Sequence, residues 1–216
     1  MFNAKKCLVT LPFGYLKKHH STIFHPPLPP SKRLSMESIH FGLLDKIGLV
    51  FPEAWWQKGP DSFYLFTREF GERGLVWIVN QGKMVDRPLL VCHLAAGLAR
   101  NMEKMSDKEI TERIMRVLRD NFRNTSIPDP LRTIVTRWEQ DPFALGSYTH
   151  IRVGPGTKKD FDILGNPVPH LTSKKNALYF AGEHTMAHHF ATAHGAYLSG
   201  VREGHRILKE WIAAVT

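Results

Sequence analysis

Apolar residues along the chain gather in short runs bounded by proline and glycine, the pattern of strands joined by turns. Cys7 to Leu11 reads as a buried strand, stopped by Pro12 and turned at Gly14. Leu43 to Phe51 is a second strand, with Lys46 inside it, and Phe63 to Phe66, Leu75 to Val79 and Leu89 to His93 are three more. Thr133 to Arg137 and Ala177 to Ala181 complete the set. This much β spacing predicts a sheet.

Helical spacing is clearest after Ser106-Asp107-Lys108-Glu109, a capping box in which the serine accepts from the helix and the glutamate reaches back. Ile110, Ile114, Val117, Leu118 and Phe122 then fall on one face. The helix is expected to end before Ile127-Pro128-Asp129-Pro130. His25 to Pro30 is an extended proline-rich connector, after which Ser31 caps a short helix carrying Leu34, Met36 and Ile39. Asp141-Pro142 and Gly154-Pro155-Gly156 mark loops around Gly146-Ser147-Tyr148. A last helix opens on Ala191-Thr192-Ala193-His194-Gly195-Ala196 and continues through Leu198, Val201, Ile207, Leu208 and Trp211. No internal repeat and no low-complexity tract interrupts this order.

With 216 residues, the chain can bury one substantial core or two small ones. No apolar run approaches the roughly 18–20 residues of a membrane span, so a soluble protein is expected; its compartment is unknown, with intracellular sites (cytoplasm, peroxisome or nucleus) as the expectation. Its last residues, Ala-Val-Thr, are not a peroxisomal Ser-Lys-Leu signal. Two cysteines, Cys7 and Cys92, are too few for a disulfide scaffold or a cysteine zinc site. The net charge of +9 is concentrated early, because Lys5, Lys6, Lys17, Lys18, Lys32 and Arg33 precede the first acid, Glu37. A solvated basic edge is the preferred reading. A nucleic-acid or anionic-surface contact and a mitochondrial presequence are the others, the last poor in arginine.

Four features carry chemistry. A strand running into Gly182-Glu183-His184-Thr185, then a helix opening on small residues, can present unpaired N–H groups and a positive dipole end to an anion or polarised ring. Glu183 could accept from ligand hydroxyls; the other reading is close helix–sheet packing alone. Lys46 is either desolvated and able to act on protons or water, or a solvent-facing lysine in a half-exposed strand. Trp138, Phe143 and Tyr148 either wall a pocket for a cation or flat ring or belong to the core. His184, His188 and His189 have a spacing that could suit a metal, but they lack the His-Glu-x-x-His order and no metal site is expected. No Gly-x-Gly-x-x-Gly loop follows any strand, so the chain supplies no dinucleotide pyrophosphate site of its own.

Taken together these segments resemble the C-terminal half of flavin-containing amine oxidases, most closely polyamine oxidases and lysine-specific histone demethylases. Val9-Thr10-Leu11-Pro12-Phe13-Gly14-Tyr15-Leu16-Lys17 is similar to a strand-turn of their flavin domain. Phe41 to Lys46, with Phe51 to Trp56, resembles the stretch bearing the active-site lysine. Val135 to Phe143, then Gly146-Ser147-Tyr148, matches the Trp and Tyr region. Phe180 to Thr185, then Ala191 to Gly200, resembles the flavin-contacting signature, a long and specific pattern. Phe143 departs from the second Trp usual in the demethylases, and Phe190 from the Pro often found before the Ala-Thr pair, which leaves the substrate open.

The resemblance spans about residues 7 to 212 and implies an α/β (α+β mixed) fold. It implies part of an FAD-binding Rossmann-like domain plus a mixed-sheet substrate domain, with the N-terminal half of the flavin domain absent. Residues 1–15 and 170–216 would be the flavin-domain segments and 16–169 the substrate-binding domain. The chain is then a fragment, a gene reading shortened at its start, or a chain that has lost cofactor binding. The two flavin-domain pieces are expected to expose an apolar face.

By resemblance the cofactor is FAD. Lys46 would hold a water near the flavin, and Tyr148 would orient the amine. Glu183 would sit at the flavin-domain turn. Thr192 and Ala193 would bring backbone N–H groups to the ring, and Trp138 would line the pocket. The implied reaction is oxidation of a polyamine C–N bond to an imine with release of hydrogen peroxide. A methyl-lysine peptide is the second substrate, and a non-catalytic binding remnant is the rival. Neither membrane nor nucleic acid is expected as a partner.

Overall fold

The structure is a computed structural model and describes residues 3–56, 61–123 and 125–215. The chain forms two compact units, Leu43–Asp141 and Met1–Gly42 with Pro142–Thr216. The sequence reading divided the chain at 15/16 and 169/170; the compact units divide elsewhere, because more of the chain packs with its two ends than that reading assigned to them.

In the unit Leu43–Asp141, five antiparallel strands lie in the order β4-β5-β6-β3-β7. They are β3 (Leu44–Val50), β4 (Ser62–Thr67), β5 (Gly74–Asn80), β6 (Leu89–Ala95) and β7 (Arg132–Val135). Alternation sets their faces. Asp45, Ile47 and Leu49 of β3, Leu90, Cys92 and Leu94 of β6, and Val76 and Ile78 of β5 are buried. In this unit α3 is a short turn of helix, Gly82–Val85, and α4 (Ala96–Glu103) and α5 (Asp107–Asn121) supply the other half of the core. Leu98, Ala99 and Met102 of α4, and Ile110, Ile114, Val117 and Leu118 of α5, share one hydrophobic cluster with the sheet. Ser106 caps α5 as expected, Oγ accepting from Glu109 N at 3.3 Å. The other half of the expected box is not made, since the Glu109 carboxylate pairs with Arg113.

The second unit contains β1 (Cys7–Val9), β9 (Val168–Pro169) and β10 (Asn176–Phe180), in the order β1-β10-β9, and a separate pair, β2 (Ile39–Gly42) with β8 (Tyr148–Ile151). Its helices are α1 (Phe13–Ile23), α2 (Pro30–Ser38), α6 (Lys158–Gly165) and α7 (Ala193–Val215). β1 runs parallel to β10, with Val9 opposite Phe180.

Several elements differ from the sequence reading. Residues 13–23 are helical rather than a turn: Pro12 stands at the N-cap, and Gly14 is buried where a Cβ would lie 2.4 Å from Ala144 O. Ser31 does not cap α2. Pro30 opens that helix, and the buried side chains are Lys32, Ser35 and Met36, while Leu34 is exposed. Tyr148 lies at the start of a strand rather than in a loop. Among the described residues no helix is long and apolar enough to cross a membrane.

Candidate functional site

The candidate residues fall in both units. Lys46 and Trp138 belong to Leu43–Asp141, and Tyr148, Glu183, Thr192 and Ala193 to the other.

Lys46 lies in the half-exposed phase of β3, its neighbours Asp45 and Ile47 pointing into the core. It pairs directly with His93 of β6, which pairs with Trp77 of β5, which pairs with Tyr64 of β4. The four side chains therefore form one row across the sheet. His93 stacks on Trp77 at 4.6 Å between centroids, and Trp77 on Tyr64 at 6.2 Å. Burial holds the His93 pKa below its ordinary value, and the Lys46 charge adds to this, against the carbonyls of Trp77 and Val91. A neutral imidazole beside an ammonium, continued by the stacked rings of Trp77 and Tyr64, suits an amine and its alkyl chain. The sequence reading did not single out Tyr64, Trp77 or His93. The period-two phase of three strands was the available signal, but it needs the register to be read.

Trp138 is held by a polar scaffold beneath that row. Its backbone N donates to Asp45 Oδ1 at 3.1 Å; Thr136 Oγ1 donates to the same oxygen at 2.8 Å and accepts from Lys46 N at 2.8 Å. The indole is partly exposed and lies outside the hydrophobic core.

In the other unit, β10 ends at Phe180 and Ala181 leads on to Gly182, whose φ of 148° and closeness to the His184 ring exclude a side chain. A 3-10 turn, Glu183–Thr185, follows. Arg202 of α7 fixes it, donating to Thr185 O at 2.6 Å and to Phe180 O and Thr185 Oγ1 at 3.0 Å. The wholly buried Glu203 balances this charge, contacted by Arg202 at 2.5 Å and Arg206 at 2.9 Å. The Glu183 carboxylate accepts from Thr149 Oγ1 at 2.5 Å, Thr149 N at 3.3 Å and Ala191 N at 2.7 Å. It therefore ties the residue next to Tyr148 to the approach of α7. Burial raises its pKa, and those three donors oppose the rise.

Thr192 caps α7, Oγ1 accepting from Gly195 N at 3.0 Å. Helix geometry leaves the N–H groups of Ala193 and His194 without intrahelical acceptors. No acidic residue lies in that first turn, and Ala193 is exposed. Gly195 is buried, with His189 O 1.9 Å from where a Cβ would be. His184 is buried and stacked on Phe13 at 5.1 Å, and no group of metal-ligating side chains occurs among the described residues.

A small-residue helix start thus lies in one unit and a lysine-centred aromatic row in the other. Residues 1–208 match the family of flavin containing amine oxidoreductases, and the chain belongs to that family. It is 37% identical over 211 residues to "Lysine-specific histone demethylase 1 homolog 2" of Arabidopsis thaliana, covering 96% of this chain and 27% of that protein. It is 38% identical over 223 residues to "Possible lysine-specific histone demethylase 1" of Drosophila melanogaster, covering 95% of this chain and 24% of that protein. The chain thus spans about a quarter of the length of these curated relatives. Among solved structures, cyclohexylamine oxidase from Brevibacterium oxydans IH-35A matches with a TM-score of 0.74 at 20% identity, over 97% of this chain and 44% of that one. A putrescine oxidase redesigned in its cofactor binding matches with a TM-score of 0.72 at 19% identity, over 96% of this chain and 43% of that one. These two likenesses establish the mixed α/β fold.

FAD is the cofactor that family membership carries. The residues present fit its ring end: Ala191, Ala193 and Gly195 are small, and an uncompensated helix N-terminus suits an electron-rich edge.

Proposed function

We propose that this chain is the amine-handling and flavin-contacting portion of an oxidase acting on a carbon–nitrogen bond, with a methylated lysine side chain as substrate. The row Tyr64–Trp77–His93–Lys46 carries the reading. It offers aromatic faces for an alkylammonium chain and, at its end, a cation that disfavours a second positive charge beside it, which favours the neutral amine needed for oxidation. Methyl-lysine takes first place because the relatives at 37% and 38% identity bear demethylase names. The polyamine reading has only a likeness of fold under it.

FAD, when bound, supplies the two-electron acceptor for the carbon next to the amine nitrogen, with oxygen as the final oxidant. The chain's residues do the rest. Thr192 and Ala193 hold the ring end through the α7 N-terminus. Trp138 would offer the amine an aromatic wall within its own unit, and Tyr148 would serve as a second aromatic contact from the other. Lys46 holds a water through its ammonium, and water attack on the product imine releases the demethylated amine and formaldehyde.

The test is to offer FAD to the purified chain and record its visible spectrum after desalting. Peroxide and formaldehyde release are then measured with a dimethyl-lysine peptide and with a polyamine. Flavin retention with release from the peptide supports the reading, and release from the polyamine alone would move the substrate to the second reading. A folded, colourless chain would sink cofactor binding by this chain.

A further inference from the structure

Two buried carboxyls beneath the Lys46 row have no part in the chemistry above. Asp45 of β3 is wholly buried, and Glu103, the last residue of α4, is 5% exposed. Asp45 Oδ1 accepts from Trp138 N at 3.1 Å. Glu103 Oε1 accepts from Glu139 N at 2.8 Å and Oε2 from Gln140 N at 3.1 Å. Three successive peptide N–H groups of one turn thus end on two acids, which sets those acids side by side. Asp45 Oδ2 is buried and receives no donor. Two bare carboxylates at such range, shut away from water, repel strongly, and a buried acceptor without a donor is costly. One O–H between them removes both penalties.

We propose that Asp45 and Glu103 share a single proton, and that this acid pair positions the turn carrying Trp138 and, through Thr136, the strand carrying Lys46. The surrounding charges leave the proton in place. Lys46 follows Asp45 in β3 but belongs to the opposite face of the strand, and His93 stands opposite Lys46 on β6. On α4, Arg100 is taken by Glu139 at 3.0 Å, and Arg137 is taken by Asp107 at 2.6 Å. Burial, joined by the neighbouring Asp45 and Glu139 carboxyls and opposed by the Glu139 N–H, holds the Glu103 carboxyl above the ordinary carboxylate range. When the shared proton leaves, repulsion between the acids slackens the grip on residues 138–140. The consequence for catalysis rests on the proposed flavin chemistry; the shared proton does not.

Infrared difference spectroscopy of the chain against pH tests this without any flavin. Wild type should show the carbonyl stretch of a protonated carboxylic acid persisting above the pH at which ordinary carboxyls have ionised. The band should vanish in Asp45→Asn and in Glu103→Gln, because each amide supplies an N–H donor to the remaining acid. Trp138 emission, taken as the difference between wild type and Trp138→Phe, should titrate with the band and lose that titration in Asp45→Asn. Absence of the wild-type band overturns the proposal even if neither variant folds. A band that survives in a folded variant, or Trp138 emission indifferent to the titration, overturns it as well. A failure of FAD binding would leave the band untouched, so the two readings fail separately.

Discussion

Lys46 stands directly opposite His93 in the antiparallel pairing of β3 and β6, on the face of the sheet away from the hydrophobic core. A cross-strand pair of this kind brings two side chains within about 5.5 Å at their Cβ atoms. Both can therefore act on one bound amine while the fold rests on the opposite face. Lys46→Met should leave urea stability within about 0.5 kcal/mol of wild type, as surface-phase substitutions do. It should lower peroxide release from the FAD-loaded chain by about 10²-fold or more, the scale of a lost acid–base or water-holding group. Paired unfolding curves and initial rates check both halves, and equal rates would remove Lys46 from the chemistry.

His184 gives a pH prediction for the other unit. Burial first, then the charges of Lys32 and Arg202, pushes its pKa down to about 3 from an ordinary 6.5. The folded protein thus resists a proton that the unfolded chain accepts. The stability is fully present above pH 6.5 and is lost as pH falls from there toward 3. The slope should be about 1.4 kcal/mol per pH unit. Urea titrations of wild type and His184→Phe should diverge as pH falls below 7 and approach that full slope only well below the ordinary 6.5, the phenylalanine keeping the stack on Phe13.

How far the sequence discloses the molecule depends on the range of the interactions. The alternation of β3 and the capped face of α5 are legible because neighbours along the chain create them. The helix α1 is not, because Pro12 and Gly14 look like a stop and a turn until Ala144, far along the chain, explains the glycine. The strand β8 is hidden because its partner, β2, is distant in sequence and glycines flank it. At the candidate site, Lys46, Trp138 and Glu183 stand out as residues. What holds them does not: Asp45 reads as an interruption of an apolar strand, and Glu103 as the polar end of a helix. Only the fold brings both to the peptide groups of residues 138–140.

Lys32 should prove a structural linchpin of its unit. It is buried, and its Nζ donates to Ile163 O, Leu164 O and Asn166 O at 2.9, 2.6 and 2.8 Å, closing the C-terminal end of α6. The ammonium also lies 4.0 Å from the centroid of the Phe180 ring. Lys32→Met strands Leu164 O and Asn166 O in a dry site, Ile163 O keeping its bond from Asn166 N at 3.2 Å, and each bare buried acceptor is expensive. A loss of about 3 kcal/mol is expected. Chemical denaturation measures it, and a loss below about 1 kcal/mol would mean that water replaces the ammonium.

Two glycines of α7 should respond oppositely to alanine. At Gly195 a Cβ would meet His189 O at 1.9 Å, a backbone atom that cannot step aside cheaply. Gly195→Ala should cost about 2 kcal/mol or more and disturb the Thr192 cap. At Gly200 nothing lies within 4 Å of the added methyl, so Gly200→Ala should gain about 0.5–1 kcal/mol from helix propensity alone. Thermal melts of the two variants against wild type separate close packing from simple chain flexibility.

The exposed side of α7 predicts self-association. Leu198, Val201, Leu208, Trp211, Ile212 and Val215 are 39%, 38%, 52%, 59%, 47% and 65% exposed. Their spacing keeps them on one broad face of the helix, so the apolar area is continuous rather than scattered. Contiguous apolar surface of this kind is rare on proteins that remain monomeric. Sedimentation velocity should show mass rising with concentration for the wild-type chain. Leu208→Lys with Trp211→Lys should return it to a monomer at the same concentrations without loss of helix content, because both side chains are more than half exposed and carry little of the core. A wild-type chain that stays monomeric across that range would show that this face is tolerated by water as it stands.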